Sequence, residues 1–184
     1  LFRSRDLPTR SVLAIQDRGS PNEPEVSALV AQATESQFHP HIKPEETKAY
    51  FTIGVADLVK RLGVDAAREE LALRGRKALM PIAAMVRFLE KTQPDVVVTT
   101  TSPRFEHALL QAARRLGIPS LAIGDLFLVR EREWIIPGPF AEHLAVFAPI
   151  VKADLLAAGL SGTEIHVTGN RAFDTLRARP EDIS

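Results

Sequence analysis

Short apolar runs rich in β-branched residues alternate along the chain with longer stretches in which apolar residues recur every three or four positions. This is the pattern of strands alternating with amphipathic helices. Residues 94–124 show it most clearly. Val96, Val97 and Val98 run into Thr99, Thr100, Thr101, Ser102 and Pro103. Phe105, Ala108, Leu109, Ala112, Ala113 and Leu116 then share one helical face, with Glu106, Gln111, Arg114 and Arg115 on the other. Gly117-Ile118-Pro119 turns the chain into Ser120-Leu121-Ala122-Ile123-Gly124. That order predicts a right-handed β-α-β crossover whose polar turn lies at the carboxyl end of the first strand. Ligands collect at that end of parallel strands, because helix N-termini present unpaired N–H groups there.

Upstream, residues 11–16 suit a first strand, and Val26, Leu29, Val30 and Ala33 a helix entered through Pro24. Residues 37–42 suit an edge strand, with Pro40 confining it to the edge. A helix starting at Pro44 shifts its apolar phase at Gly54, from Ala49 and Ile53 to Val55, Leu58, Val59 and Leu62, which predicts a break there. Gly63 closes that helix, and Asp65 is placed to cap the next. Residues 66–91 read as helix interrupted near Gly75 or Pro81. Residues 125–140 have no period and contain Pro137-Gly138-Pro139, so they predict a long functional loop with at most a short helical piece. A strand at 144–147, a helix at 149–158 closed by Gly159, a strand at 164–167 and a last helix at 171–177 complete the alternation. The fold class that follows is α/β: a doubly wound, mainly parallel Rossmann-like sheet with helices on both faces, in a single domain over residues 1–184.

Charge narrows the partners. Lys plus Arg and Asp plus Glu number 23 each, so no net field favours nucleic acid or an anionic membrane. The absence of cysteine removes disulfide and thiolate-metal chemistry and agrees with a cytoplasmic location. No apolar run reaches the roughly 20 residues of a spanning helix, so no transmembrane segment is expected. The chain opens on Leu1 without a signal-like apolar core, and its natural start is expected to lie upstream.

Candidate chemistry concentrates at the predicted strand ends. Thr101 and Ser102 put hydroxyls between a strand and a helix, with Ser102 the expected N-cap and Pro103 the first helical residue. A cap alone accounts for Ser102. Arg104 opposes the helix dipole there and points to an acidic partner or a bound anion. Asp17, Arg18, Gly19 and Ser20 lie at the same edge and could form a phosphate nest or a plain turn, without the glycine spacing of a dinucleotide loop. No cofactor is therefore expected. Asp125 follows a strand end, where a carboxylate bonds sugar hydroxyls, acts as a base or makes an Asx-turn.

Five histidines are present. His39 and His41 would share a strand face without a carboxylate partner, so no metal is expected. His107 falls on a polar helix flank and reads as solvated. His143, beside Glu142, is the best of the five as an acid–base candidate, with a plain strand-entry residue as the commoner reading. Trp134, with Phe127 and Phe140, either lines a sugar- or lipid-contacting wall or anchors the loop.

Four stretches carry a resemblance: Pro94-Asp95-Val96-Val97-Val98, Leu116-Gly117-Ile118-Pro119, Phe147-Ala148-Pro149 and His166-Val167-Thr168-Gly169-Asn170-Arg171-Ala172-Phe173-Asp174. Through them residues 93–176 resemble the N-terminal half of GT-B-type glycosyltransferases and of the related non-hydrolysing UDP-N-acetylglucosamine 2-epimerases. Arg171 stands where those families carry proline. Thr99, Thr100, Thr101 and Ser102, and Ile123-Gly124-Asp125, replace the epimerases' His-Gly-Asp-Thr-type turn and Glu-Ala-Gly strand end, which argues against epimerase chemistry. The resemblance implies that Gly169 and Asn170 join the site and that residues 171–184 begin an interdomain linker or helix. It also implies that a nucleotide-sugar binds chiefly on a second Rossmann-like domain or partner chain and meets its sugar acceptor in the cleft between. The expected function is thus an acceptor-side half-enzyme, inactive alone. A non-catalytic Rossmann-like binding or assembly module, an epimerase half and homo-oligomer formation stay open.

Overall fold

The computed structural model describes residue 15 and residues 24–35, 37, 39–136 and 138–170. The first expected strand, the loop at 17–20 and the last expected helix lie outside them. The chain forms two compact units, Leu1–Thr92 and Gln93–Ser184.

The described part of the first unit is helical: α1 (Pro24–Thr34), α2 (Pro44–Leu62), α3 (Val64–Arg74), a 3₁₀ turn at Gly75–Ala78 and α4 (Ile82–Thr92). Val26, Leu29 and Val30 of α1 pack with Phe51, Val55 and Leu58 of α2, Ala67 of α3, and Ala78 and Leu79. The strand expected at 37–42 is absent among its described residues. His39 accepts the Ile42 N–H at its carbonyl, and its ring nitrogen lies 3.3 Å from the His41 N–H, so local turn bonds around Pro40 replace ladder bonds.

Helix α2 does not break at Gly54. Ala49 and Ile53 of the first stripe and Val55 and Leu58 of the second are all buried, though Leu62 is exposed, and the missing Cβ at Gly54 makes room for Leu79, whose Cβ would lie 3.0 Å from one placed there. The phase shift therefore records a wide buried face rather than a kink. Asp65 does not cap α3; Gly63 holds that position, and the Asp65 carboxylate pairs with Arg68 at 3.0 Å. A cap does come from Asp57, whose Oδ1 accepts the Ala83 N–H in the first turn of α4. Burial pushes the Asp57 carboxyl above the ordinary carboxylate range, opposed by Arg61 and by the Ala83 and Ala84 N–H groups.

The second unit is the sheet: β1 (Val97–Thr100), α5 (Phe105–Leu116), β2 (Ser120–Ile123), a four-residue helix α6 (Arg132–Ile135), β3 (His143–Val146), α7 (Pro149–Ala157) and β4 (Glu164–Val167). All three pairings are parallel and the strand order is β1-β2-β3-β4. This is the α/β class expected, with a sheet of the Rossmann-like, doubly wound type whose four described strands run in chain order like one wing of such a sheet. Right-handed crossovers between successive neighbours put α5 and α7 against the same face. That face is the buried one, carrying Val97, Thr99, Ala122, Leu144, Val146 and Ile165. Their alternate neighbours Val98, Thr100, Glu164 and His166 are exposed or half-buried. Gly117 ends α5 in the left-handed region, with the Ile118 N–H closing back on the Ala113 carbonyl at 2.9 Å. No helix among the described residues is long and apolar enough to cross a membrane.

Candidate functional site at the carboxyl edge of the sheet

The loop leaving β1 is shaped by a carboxylate rather than by Ser102. Glu106 Oε2 accepts from both the N–H and the hydroxyl of Thr100, each at 2.7 Å. Ser102 lies against that hydroxyl at 3.3 Å, and the N-cap position of α5 falls to Arg104 instead. The helix starts later than expected, at Phe105, because the chain turns at Arg104 with φ 68° and ψ −108°. A long side chain in that region stores strain of about 1–3 kcal/mol. The N-cap residues of α5 and α7, Arg104 and Ala148, make no side-chain cap hydrogen bond, and both helices point their N-termini at this edge.

The loop after β2 closes over the edge. Gly124 extends the pairing with β3 through its N–H to the Ala145 carbonyl, 2.8 Å. Leu128, buried and at φ 54°, packs so closely on Gly124 that a Cβ there would meet its Cδ1 at 2.8 Å. Trp134 donates its indole N–H to the Thr101 carbonyl at 2.9 Å, so it anchors the loop to β1. Phe140 is buried, whereas Phe127 is exposed and meets Phe147 edge-on at 5.0 Å. Of the three aromatic residues, Phe127 alone is placed to form a contact wall.

The run after β4 joins the same edge. The Thr168 N–H bonds the Val146 carbonyl at 2.9 Å, Gly169 turns at φ 79°, and Asn170 Nδ2 donates to the Asp125 carbonyl at 3.1 Å. The structure thus brings Asp125, Gly169 and Asn170 together, on the same sheet edge as Thr101, Ser102 and Arg104. Thr101 is buried and shapes the loop, while the Asp125 side chain faces solvent. Asp17, Arg18, Gly19 and Ser20 lie outside the described residues.

His143 does not belong to this constellation. It pairs in register with Leu121, four residues before Asp125, which separates the two by about 13 Å along the strand direction. It lies at the amino end of the sheet, facing β4. Nor is His107 solvated: it is half-buried, packs on Phe140 at 5.0 Å between ring centroids, and burial pulls its imidazole below the ordinary range. His39 and His41 occupy an exposed turn, not a strand face.

Two groups of partners were missed from sequence. Glu106 reads as an ordinary first-turn acid until the loop folds back on it. The neighbours of His143, Glu164 and His166, depend on the register between strands 21 residues apart, though the alternation Glu164, Ile165, His166 already put both on one face. Neither a family model, a curated protein nor a solved structure matches the chain.

Proposed function

We propose that this chain supplies the acceptor-side domain of a GT-B-like glycosyltransferase. The reading is carried by one observation: the Asn170 side chain joins the Thr-Gly-Asn run after β4 to Asp125 after β2. That contact gathers the resemblance's most distinctive motif and the best-placed carboxylate at the ligand-binding edge of a parallel sheet. In this role Asp125 binds an acceptor hydroxyl and takes its proton as the oxygen attacks the donor sugar. Ser102, Arg104 and the α5 N-terminus hold a phosphate or polar group of the acceptor, and Phe127 with Phe147 offers an apolar face to a sugar ring. The nucleotide-sugar sits on a second Rossmann-like domain.

The test is a turnover assay with UDP-sugars and mixed acceptors. The chain alone is expected to release no UDP above background; robust turnover by the chain alone contradicts the half-enzyme reading.

A second reading, a non-catalytic assembly module, draws on the apolar residues exposed near the same edge, Leu126, Phe127, Val129 and Ile150. Sedimentation separates the two: a stable self-associated species that Phe127→Ser disperses favours assembly, and a monomer favours the sugar site.

A further inference from the structure

We propose that the exposed face of β3 and β4 holds a divalent transition-metal site of the zinc class, formed by His143 on β3 with Glu164 and His166 on β4. The strand register dictates this grouping. His143 pairs directly with Glu164, and His166 lies two residues further along the same face, so three donor side chains converge from two hydrogen-bonded strands. One ligand atom from each lies within 4.8 Å of the others. His143 Nδ1 is 3.1 Å from His166 Nε2, Glu164 Oε2 is 3.5 Å from His143 Nδ1, and Glu164 Oε1 is 3.6 Å from His166 Nε2. Ligands about 2.05 Å from a tetrahedral zinc ion are separated by about 3.3 Å; the two imidazole nitrogens already stand at that spacing, and a rotation of the Glu164 carboxylate brings a single oxygen toward both.

The donor chemistry favours the same ion. Two imidazoles and one carboxylate suit zinc and its transition-metal neighbours, whereas calcium and magnesium take oxygen-rich sites. With His143 Nδ1 as ligand, its Nε2 carries the proton, and Glu142 Oε1 stands 3.9 Å from that atom, where a small side-chain rotation makes the carboxylate–histidine–metal arrangement. The three donors are 39%, 67% and 42% exposed at the side chain, so the ion can enter from solvent and keep water as its fourth ligand. The cluster lies on the face away from α5 and α7. Bound there, the ion clips β3 to β4 and leaves an open coordination position on that face of the sheet.

Calorimetry of the untagged full chain with zinc chloride, supported by the visible spectrum with cobalt(II), tests the site. One equivalent is expected to bind, with a tetrahedral cobalt spectrum. Glu142→Gln is expected to weaken binding about tenfold, and His143→Ala or His166→Ala by more than about a hundredfold. Glu164→Gln removes the carboxylate while keeping its shape, and it too is expected to weaken binding strongly with an unchanged circular dichroism spectrum. The exposed pair His39 and His41 is the internal competitor, with ring centroids 5.4 Å apart. The proposal is overturned by the absence of saturable binding, by binding that survives in His143→Ala/His166→Ala, or by binding that disappears in His39→Ala/His41→Ala.

Discussion

The carboxyl edge of the sheet and the exposed face of β3 and β4 present their polar groups differently. At the carboxyl end, polar groups are drawn into the loops themselves: Glu106 holds Thr100, Trp134 holds the Thr101 carbonyl, and Asn170 holds the Asp125 carbonyl. On the exposed strand face, His143, Glu164 and His166 instead face one another as side chains projecting from two paired strands. The edge loops place backbone, whereas the strand face places side chains directly. The difference follows from the crossovers. A right-handed β-α-β unit sends its variable turn to the carboxyl end, while the strand face shows whatever the strand alternation presents.

That contrast predicts unequal sensitivity to substitution. Gly124→Val should be the most damaging change, because its new side chain meets Leu128 and the Ala145 carbonyl; a loss of about 2–3 kcal/mol in chemical denaturation is expected. Glu106→Ala removes the acceptor from two Thr100 donors and should cost about 1–2 kcal/mol, with faster amide exchange at Thr100. Trp134→Phe keeps the ring bulk but leaves the Thr101 carbonyl without the indole donor, for a loss of about 1 kcal/mol. On the strand face, Glu164→Gln in metal-free protein should change stability by less than about 0.5 kcal/mol. Equal costs in both regions would break the comparison.

A smaller effect is expected from pH. His107 is held below its ordinary value of 6.5, so the unfolded chain takes up its proton first as the solution is acidified. Its contribution to stability is therefore present above pH 6.5 and is lost as pH falls below that value toward the depressed native pKa. Urea titrations at successive pH values should show this slope, and His107→Gln should flatten it.

Periodicity made most of the sheet unit legible, since each strand there is a short β-branched or apolar run and α5 is amphipathic with a glycine stop. Strand β4 matches its expected bounds, and β3 begins one residue earlier, at His143. The reading failed where a local preference met a tertiary contact. Ser102 was a sound cap by type, but Glu106 and the turn at Arg104 decide the loop. Gly54 suggested a break, but Leu79 packs against it. Asp57 gave no signal at all, because its partner is a backbone N–H 26 residues away. The same limit governs the sites. Asp125 and Asn170 were visible as strand-end residues and His143 as a strand-entry residue, whereas the grouping of His143 with Glu164 and His166 depends on a register that neighbours along the chain do not show.

The most direct test of the carboxyl edge as a sugar site is amide NMR of the isotopically labelled chain titrated with monosaccharides and monosaccharide phosphates. Saturable shifts are expected at Ser102, Arg104, Asp125, Gly169 and Asn170, with His143 and His166 unmoved. Shifts confined to other residues, or none that saturate, would contradict the account.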